Sequence, residues 1–531
     1  MSNMIKQLMV KKLLGLGVLV LAGYCSQAQV VISEGAQLVC TGNFSNTSGT
    51  ITNNGKLEVQ GNFVNTGSYS SADNLDSLLL TGAGSILLNG GTATYGFLSI
   101  NKSTGGVTLS NNLNVGSKLH LTAGSFSTNP TGGYVLSAPL TAEFAFGSGT
   151  SIVGKVKRTS WVNGSTVAFH GADLTVVTTG GTAPTAIELT NIPAADPTGA
   201  EKEVKHYFFA DVTGGTGYTA SVVFPYATSE LNGNAAATLA PWYYSSGEWV
   251  AKLTGNTVNT TTGRLTNTSI AAAEFAGKEW KLADPRYTLT LTAHLRGPWS
   301  GSQMNTTLRS NNILPLAQPY NLTPYNYSGT ESVASIPANV TDWVLVEIRK
   351  PSSGLPADAT SATVVGRRAA FILNTGSIVD LDGVTPLGMD ISKQGNSYIV
   401  VRHRNHLAVM SNAIASNETG IFTNDFSALE NVYARPGAAS APMVLLPSST
   451  KFGMWPGDPN RSGTINGVDL SLIKNNIASG VTTGYNLTDI NFSNSLNGLD
   501  LSLTKNSISS SASGSAPVAA SNKETMTHVP N

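Results

Sequence analysis

Between residues 30 and 129, apolar residues come in short alternating runs broken by glycine and asparagine. Val107 and Leu109, Leu113 and Val115, and Leu119 and Leu121 each fall on one side of a strand, because successive side chains alternate across the pleat. The phrase GNFxNT begins at Gly42 and again at Gly61, a spacing of 19. Asparagine and glycine both tolerate the left-handed backbone of tight corners. Short strands with recurring corners predict stacked coils, a β-helix-like region over 29–129. An ordinary sandwich carrying a chance repeat is the alternative.

From 130 to 284 the alternating runs lengthen and stop repeating. SIVGKVKRTSWV, KHYFFADV, YTASVVFPY and WYYSSGEWVAKL predict an antiparallel β-sandwich. A boundary is expected at ADPR, Ala283–Arg286. A further β-sandwich is predicted over 285–455. There Val344, Val346 and Ile348 share one face of DWVLVEIRKP, with Glu347 and Arg349 on the other, and a hairpin turns at Thr375–Gly376. The pattern then changes to two loop-then-helix phrases over 456–510. The serine- and alanine-rich stretch 511–531 has no core pattern and is expected to be a disordered tail. The fold class is therefore mainly β with a small helical module at the C-terminus.

Composition narrows the function. The 531-residue chain has 31 basic and 31 acidic residues, so its formal net charge is zero. No basic nucleic-acid surface is implied. A hydrophobic content of 41% supports folded cores rather than disorder. Lys6, Lys11 and Lys12 precede the apolar run LLGLGVLVLAG, and Ser26–Ala28 offers a small-residue cleavage site, so 1–28 reads as a signal peptide. Cleavage there leaves Cys40 as the single cysteine, with no intrachain disulfide and no cysteine metal cluster. The QAQ ending resembles leaders of secreted proteins from Gram-negative bacteria. Secretion or display on such a cell surface, with no transmembrane helix in the mature chain, is expected.

Candidate chemistry concentrates in GDPNRSGTINGVDLSLIKNNI, from Gly457, and DINFSNSLNGLDLSLTKNSI, from Asp489. A twelve-residue calcium loop supplies oxygens from positions 1, 3, 5, 7, 9 and 12. In the first loop these are Asp458, Asn460, Ser462, Thr464, Asn466 and Asp469. In the second they are Asp489, Asn491, Ser493, Ser495, Asn497 and Asp500. Gly463 and Asn494 suit the sharp turn at position 6. Ile465 and Leu496 at position 8 are expected to pair across a small core. Between Lys451 and Ser510 the only carboxylates are Asp458, Asp469, Asp489 and Asp500, the first and last residues of the two loops. The alternative is a pair of asparagine-rich turns capping two helices, with Asp469 and Asp500 as N-terminal helix residues. That alternative accounts for one aspartate per helix but not for the matched oxygens upstream. Val468, Leu472 and Ile473 are expected on one side of the first helix, and Leu499, Leu503 and Ile508 on one side of the second.

The duplicated loop, from Pro456 to Ser510, resembles a type I dockerin. The resemblance implies calcium as the bound ion and docking of the helices on a cohesin-like partner. A neighbouring domain of the same chain is the alternative partner. Lys474 and Lys505 match the family's basic helix residue. Gly467, Val468, Gly498 and Leu499 stand where cohesin choice is often set and differ from the usual Ser-Thr pair. Position 5 is serine where aspartate is common, so each site has two carboxylates and weak, extracellular-grade affinity is expected. LRGPWSGSQMNTTLRSNNILPLAQPY, VTDWVLVEIR, VVGRRAAFILNTGSIVDLDG and YIVVRHRNHLAVMS resemble a domain of large secreted surface proteins of Gram-negative bacteria. Some of those are called haemagglutinin-like or adhesin-like, and the domain commonly precedes a dockerin-like ending.

Elsewhere, His403 and His406 in RHRNH could bind a metal or transfer protons with Asp380 or Asp382. A continuing strand would put the two rings on opposite faces, with the arginines paired to Asp380 or Glu347. Trp242, Tyr243, Tyr244, Trp249, Tyr320, Tyr325 and Tyr327 could stack on surface glycans or anchor cores. No nucleophile elbow, phosphate loop or zinc motif is present. The reading is a secreted or cell-surface adhesin or scaffold-attachment protein. The alternative is an accessory glycan-binding or hydrolytic component of a polysaccharide-degrading assembly.

Overall fold

The computed structural model describes residues 7–10, 29–71, 77–171, 174–195, 203–393, 395–416, 420–481 and 484–515. Strand makes up 45% and helix 11%, so the chain is mainly β. It divides into two compact units, Met1–Asp284 and Pro285–Asn531.

The first unit opens as a β-solenoid of about six turns. Gln29–Ile32, Thr50–Asn53 and Ser68–Ser70 stack in parallel on one side. Gln37–Cys40, Lys56–Val59 and Ser77–Gly82 form a second stack. Phe44–Asn46 and Phe63–Asn65 begin a third, which Ile86–Asn89 continues. The repeated GNFxNT phrase is the rung of this third stack. Phe44 lies on Phe63 with ring centroids 5.5 Å apart, and the Asn46 amide donates to Asn65 Oδ1 at 2.7 Å. Asn65 in turn donates to the Tyr95 hydroxyl at 3.3 Å. A buried amide needs such partners, because an unmade bond costs about 1–3 kcal/mol. The left-handed corners of the described coils fall to glycines such as Gly82 and Gly105 rather than to asparagines, which end the strands and bond to one another across successive coils.

Parallel pairing runs past residue 129. Thr94–Leu109 pairs with Leu113–Ser127, and Val135–Pro139 pairs with Ile152–Thr159. Ile152–Thr159 then joins Ala186–Pro193 in antiparallel register. That turns the sheet toward His206–Thr213, Lys278–Ala283 and Ala240–Ser245. A separate five-stranded antiparallel sheet is centred on Thr219–Pro225. One continuous apolar core extends from Ile32 in the coils to Leu282, so the coils and the antiparallel sheets share an interior.

Gln7–Val10 pairs in parallel with Gln29–Ile32. The apolar run and cleavage site of the expected signal peptide lie outside the described residues.

The second unit is built on an eight-stranded sheet. Leu387–Asp390, Arg286–Thr292, Ser377–Val379, Val364–Leu373, Val340–Arg349, Tyr398–Arg402 and Val409–Met410 follow one another across it. Ile421–Asp425 pairs in parallel with Arg286–Thr292. Every residue of Val340–Arg349 is buried. Glu347 and Arg349 were expected on a polar outer face; both are enclosed instead. Segments 313–327 lie over the strand, with the Trp343 indole donating to Pro315 O and the Tyr320 hydroxyl donating to Trp343 O. Glu347 is held by Arg349, Arg367 and Arg402 at 2.6, 2.8 and 3.0 Å. Burial alone would raise its carboxyl, but the arginines outweigh that and hold it at about 2.

Two helices follow the sheet, Gly467–Ala478 and Gly498–Ser509. Beyond them the chain is still ordered at its expected tail: Ser515 is buried, and its hydroxyl accepts from Met410 N at 2.6 Å. The rest of that expectation, 516–531, lies outside the described residues.

Asn65→Ala is expected to lower the stability of the first unit by about 1–3 kcal/mol, since it strips a buried amide ladder of a partner. The shift in urea midpoint at constant slope measures it. An unmoved midpoint would mean that the ladder does not stabilise the coils.

Candidate calcium and docking site

The two loops fold to the same internal pattern of hydrogen bonds. Asp458 accepts from Ser462 N and Gly463 N, both at 2.9 Å. Asp489 accepts from Ser493 N at 3.1 Å and Asn494 N at 2.9 Å. Asn460 and Asn491 each accept from the amide of position 5 at 3.0 Å. The hydroxyls of Ser462 and Ser493 donate to the carbonyls of Thr464 and Ser495, both at 3.0 Å. Gly463 and Asn494 take left-handed backbone at position 6, with φ of 77° and 59°. Asn466 and Asn497 then cap the helices, accepting from Val468 N and Leu499 N at 2.8 and 2.9 Å. Asp469 and Asp500 reach back to the cap amides at 2.9 Å. This is the reciprocal capping box, so the helix-cap role and the calcium-loop role reside in the same residues.

The two last aspartates differ in one oxygen. Asp500 Oδ1 accepts from Ile490 N at 2.8 Å and from Asn491 N at 3.3 Å. In the first loop the residue matching Ile490 is Pro459, which has no N–H. Asp469 Oδ1 is buried without a hydrogen-bond partner. Burial, then the nearby Asp469 charge, pushes Asp458 up to about 8. Burial pushes Asp489 up to about 6, with Asp500 adding to the effect. Enclosed carboxylates facing one another, one oxygen of them unsatisfied, suit a hard divalent cation. Asp458, Asn460, Ser462, Asn466 and Asp469, with the Thr464 carbonyl, could hold one. Asp489, Asn491, Ser493, Asn497 and Asp500, with the Ser495 carbonyl, could hold another. Among the described residues no group of three or more His, Cys, Asp or Glu converges, in keeping with loops that use two carboxylates and otherwise amides, hydroxyls and carbonyls.

The packing beneath the loops is crossed. Ile465 was expected to meet Leu496. Instead it clusters with Leu407 and Trp455, with Ile508 of the second helix against them. Leu496 clusters with Ile473 of the first helix and with Ile490. Each position-8 residue thus packs with the helix of the other loop. Val468 and Leu499, expected on the inner sides of their helices, are 51% and 62% exposed. Lys474 and Lys505 are exposed as well.

The loops rest on RHRNH. The strand ends at Arg402, so His403 and His406 do not alternate across a sheet as a continuing strand would require. Their rings meet at 4.9 Å between centroids. Every nitrogen has a partner. His403 Nε2 donates to Asp342 at 3.1 Å, and its Nδ1 accepts from Asn405 N at 3.3 Å. His406 Nε2 accepts from Gly297 N at 3.1 Å, and its Nδ1 donates to Asn405 Oδ1 at 2.9 Å. Burial lowers both imidazoles, His406 well below the usual range, while Asp342 opposes the shift at His403. No lone pair is left for a metal, and the pair serves as scaffold.

Asp342 is the centre of this scaffold. It accepts from Arg404 Nε and the Tyr485 hydroxyl, both at 2.8 Å. Burial opposes its charge, but Arg404 and His403 outweigh burial and hold it at about 2. Arg404 lies between the rings of Tyr485 and Phe492, 4.4 and 4.7 Å from their centroids, and donates to Asn486 O. Asn405 donates to Leu487 O at 2.9 Å and Asp489 O at 3.0 Å, and its own carbonyl accepts from Gly457 N and Asp458 N. One asparagine therefore holds the first residue of both loops. Gly457 is left-handed at φ 110°, and a Cβ there would meet Thr504 of the second helix at 2.7 Å. Asp342, Asn405 and Tyr485 were not singled out from sequence. The one available signal was an acid at the head of the apolar strand VTDWVLVEIR.

The other candidates fall into the interior. Trp242, Trp249, Tyr320 and Tyr325 are buried, and Tyr243, Tyr244 and Tyr327 half-buried. Arg368 pairs with Asp380 at 2.7 Å, and Asp382 caps its own turn by accepting from Val384 N and Thr385 N.

The features define a class, a paired calcium-loop module closing a mainly β chain. Comparison with known families agrees: residues 456–509 match the type I dockerin domain. Searches of curated proteins and of solved structures return no match. The dockerin is a module for binding a cohesin partner and attaching to a scaffold, and dockerins of this type generally bind calcium. Among the described residues no helix is long and apolar enough to cross a membrane.

Asp342 is depressed on folding, so its contribution is present above the unfolded carboxyl value of about 4 and is lost as pH falls through about 2. Acid melts of the full chain should show this loss in the second unit. In Asp342→Asn that part of the acid decline should vanish, with neutral-pH stability about 3–5 kcal/mol lower because Arg404 stays buried and unpaired. An acid profile identical to wild type would refute the assignment.

Proposed function

We propose that this chain is a secreted attachment protein of the adhesin or scaffold-attachment kind. In this reading its solenoid and sheets present a surface, and its C-terminal dockerin anchors it to a cohesin-like partner in a calcium-dependent way. The observation that carries the reading is the dockerin match over 456–509, together with the outer faces of its two helices. Val468 and Lys474 on one helix, and Leu499 and Lys505 on the other, stand exposed at equivalent places. Each helix thus offers an exposed apolar residue and, nearly two turns on, an exposed lysine, groups that a protein partner could bury and pair. The twelve loop positions from Asp458 to Asp500 hold calcium, which shapes that surface. Placement on the exterior of a Gram-negative cell follows the leader and the surface-protein resemblance. The burial of Trp242, Trp249, Tyr320 and Tyr325 favours attachment over glycan capture, since those rings offer no open stacking face.

Asp458→Ala combined with Asp489→Ala, in the full chain, is expected to abolish the rise in melting temperature on adding about millimolar calcium. Identical wild-type melting in chelator and in calcium would remove the metal from the account. Biolayer interferometry against a panel of type I cohesins tests the partner. Calcium-dependent binding is expected, and Val468→Asp with Leu499→Asp should weaken it tenfold or more, about 1.4 kcal/mol, without changing the calcium-dependent melting. Absence of binding to any cohesin would refute the scaffold reading.

A further inference from the structure

We infer that the segment His403–His406 is a docking surface, within the chain, for the second calcium loop. That loop keeps its form without the ion, while the first loop depends on calcium to close. The inference rests on the calcium reading above and adds a difference between the two sites that their matching ligand positions conceal.

The second loop is gripped from outside along the residues that lead into it and from Asp489 to Phe492. Arg404 takes Asn486 O, Asn405 takes Leu487 O and Asp489 O, and Asn305 donates to Asn491 O at 2.9 Å. Phe492 lies 5.4 and 5.9 Å from the rings of His403 and His406. Ile490 O approaches Gly297 so closely that a Cβ on the glycine would stand 1.9 Å from it. Arg404 also brings a fixed guanidinium to this loop, clamped between Tyr485 and Phe492. Inside the loop, both oxygens of Asp500 are already satisfied by main-chain amides.

The first loop has less support. Its entrance is held by the Asn405 carbonyl, and Thr464 bridges to Ser513. The turn at Ser462, Gly463 and Thr464 is exposed. Pro459 denies Asp469 Oδ1 the amide that Ile490 gives Asp500, and that buried oxygen is left with no well-formed hydrogen bond, the Asn460 amide alone approaching the carboxylate from that side. A buried acceptor of this kind is costly until a cation meets it. Calcium therefore supplies to the first loop what the sheet and the loop's own amides supply to the second.

Hydrogen exchange on the full chain, in chelator and in saturating calcium, separates the loops. In chelator the amides of Ser462, Gly463 and Asn466 should exchange about tenfold faster or more, as expected for loss of one or two hydrogen bonds. Those of Ile490, Asn491 and Ser493 should stay within about twofold of their calcium values, since their supports are protein groups. In Asn405→Ala the second loop should become calcium-dependent in its turn. Asn305→Ala, which removes a single contact to Asn491 O, should move the same amides if Asn405→Ala does not fold. Equal acceleration of both loops in wild type, or a second loop that stays protected in chelator in both variants, overturns the inference while leaving calcium binding intact. Absence of any heat of calcium binding in titration calorimetry, with both loops unchanged by chelator, instead overturns the calcium reading and the inference with it.

Discussion

A carboxylate buried near the start of an interior strand organises the second unit. Asp342 sits where water cannot reach it, so its charge has to be matched by protein groups, and Arg404, His403 and Tyr485 do so. Two of those groups come from the segment that follows the strand, and the third from the linker between the calcium loops. Losing Asp342 or Arg404 would leave the other's charge buried without its counter-ion, a penalty of about 3–5 kcal/mol. The pairing therefore ties the sheet to the module. Asn405 and Phe492 extend the same contact to the loop itself. The linker and second loop of the dockerin module are thus part of the packing of the sheet.

The first unit meets a comparable demand with neutral groups. Stacked coils bring asparagines at the same corner of successive turns within bonding distance, and the amide has both a donor and an acceptor to offer. Asn46, Asn65 and Tyr95 form one such chain in the interior. Lys102 is a more demanding case: it is buried, and its ammonium donates to Thr81 O at 2.6 Å in the adjacent coil and to Gln60 O at 3.2 Å one coil further on. In each case a polar group inside the coil is satisfied by other rungs of the stack. The repeat in sequence and the bonding in space therefore reinforce each other.

Much of the site was legible because its logic is local. The spacing of oxygens within each loop, the turn residue at position 6 and the helix cap that follows all lie within twelve consecutive residues. What sequence could not reveal is non-local. His403 and His406 looked separable by strand alternation, yet the strand ends one residue earlier and both rings turn onto Phe492. Glu347 and Arg349 looked like a solvent face, yet ordered loops cover them and Arg367 and Arg402 arrive from the adjacent strands. Val468 and Leu499 looked like core, yet the crossed packing of Ile465 and Leu496 leaves them outside.

The sequence by itself determined the coils, the mainly β character and the pair of twelve-residue loops, because each depends on periodicity or spacing along a short length of chain. Only the tertiary structure decided that the two loops are unequal. Pro459 against Ile490 is a single difference, and its effect appears only when the Asp469 and Asp500 oxygens are followed to their partners. The grip of Arg404 and Asn405 joins residues about eighty positions apart. Contacts of that range are set by how sheet and loops come to share an interior, and no local pattern encodes them.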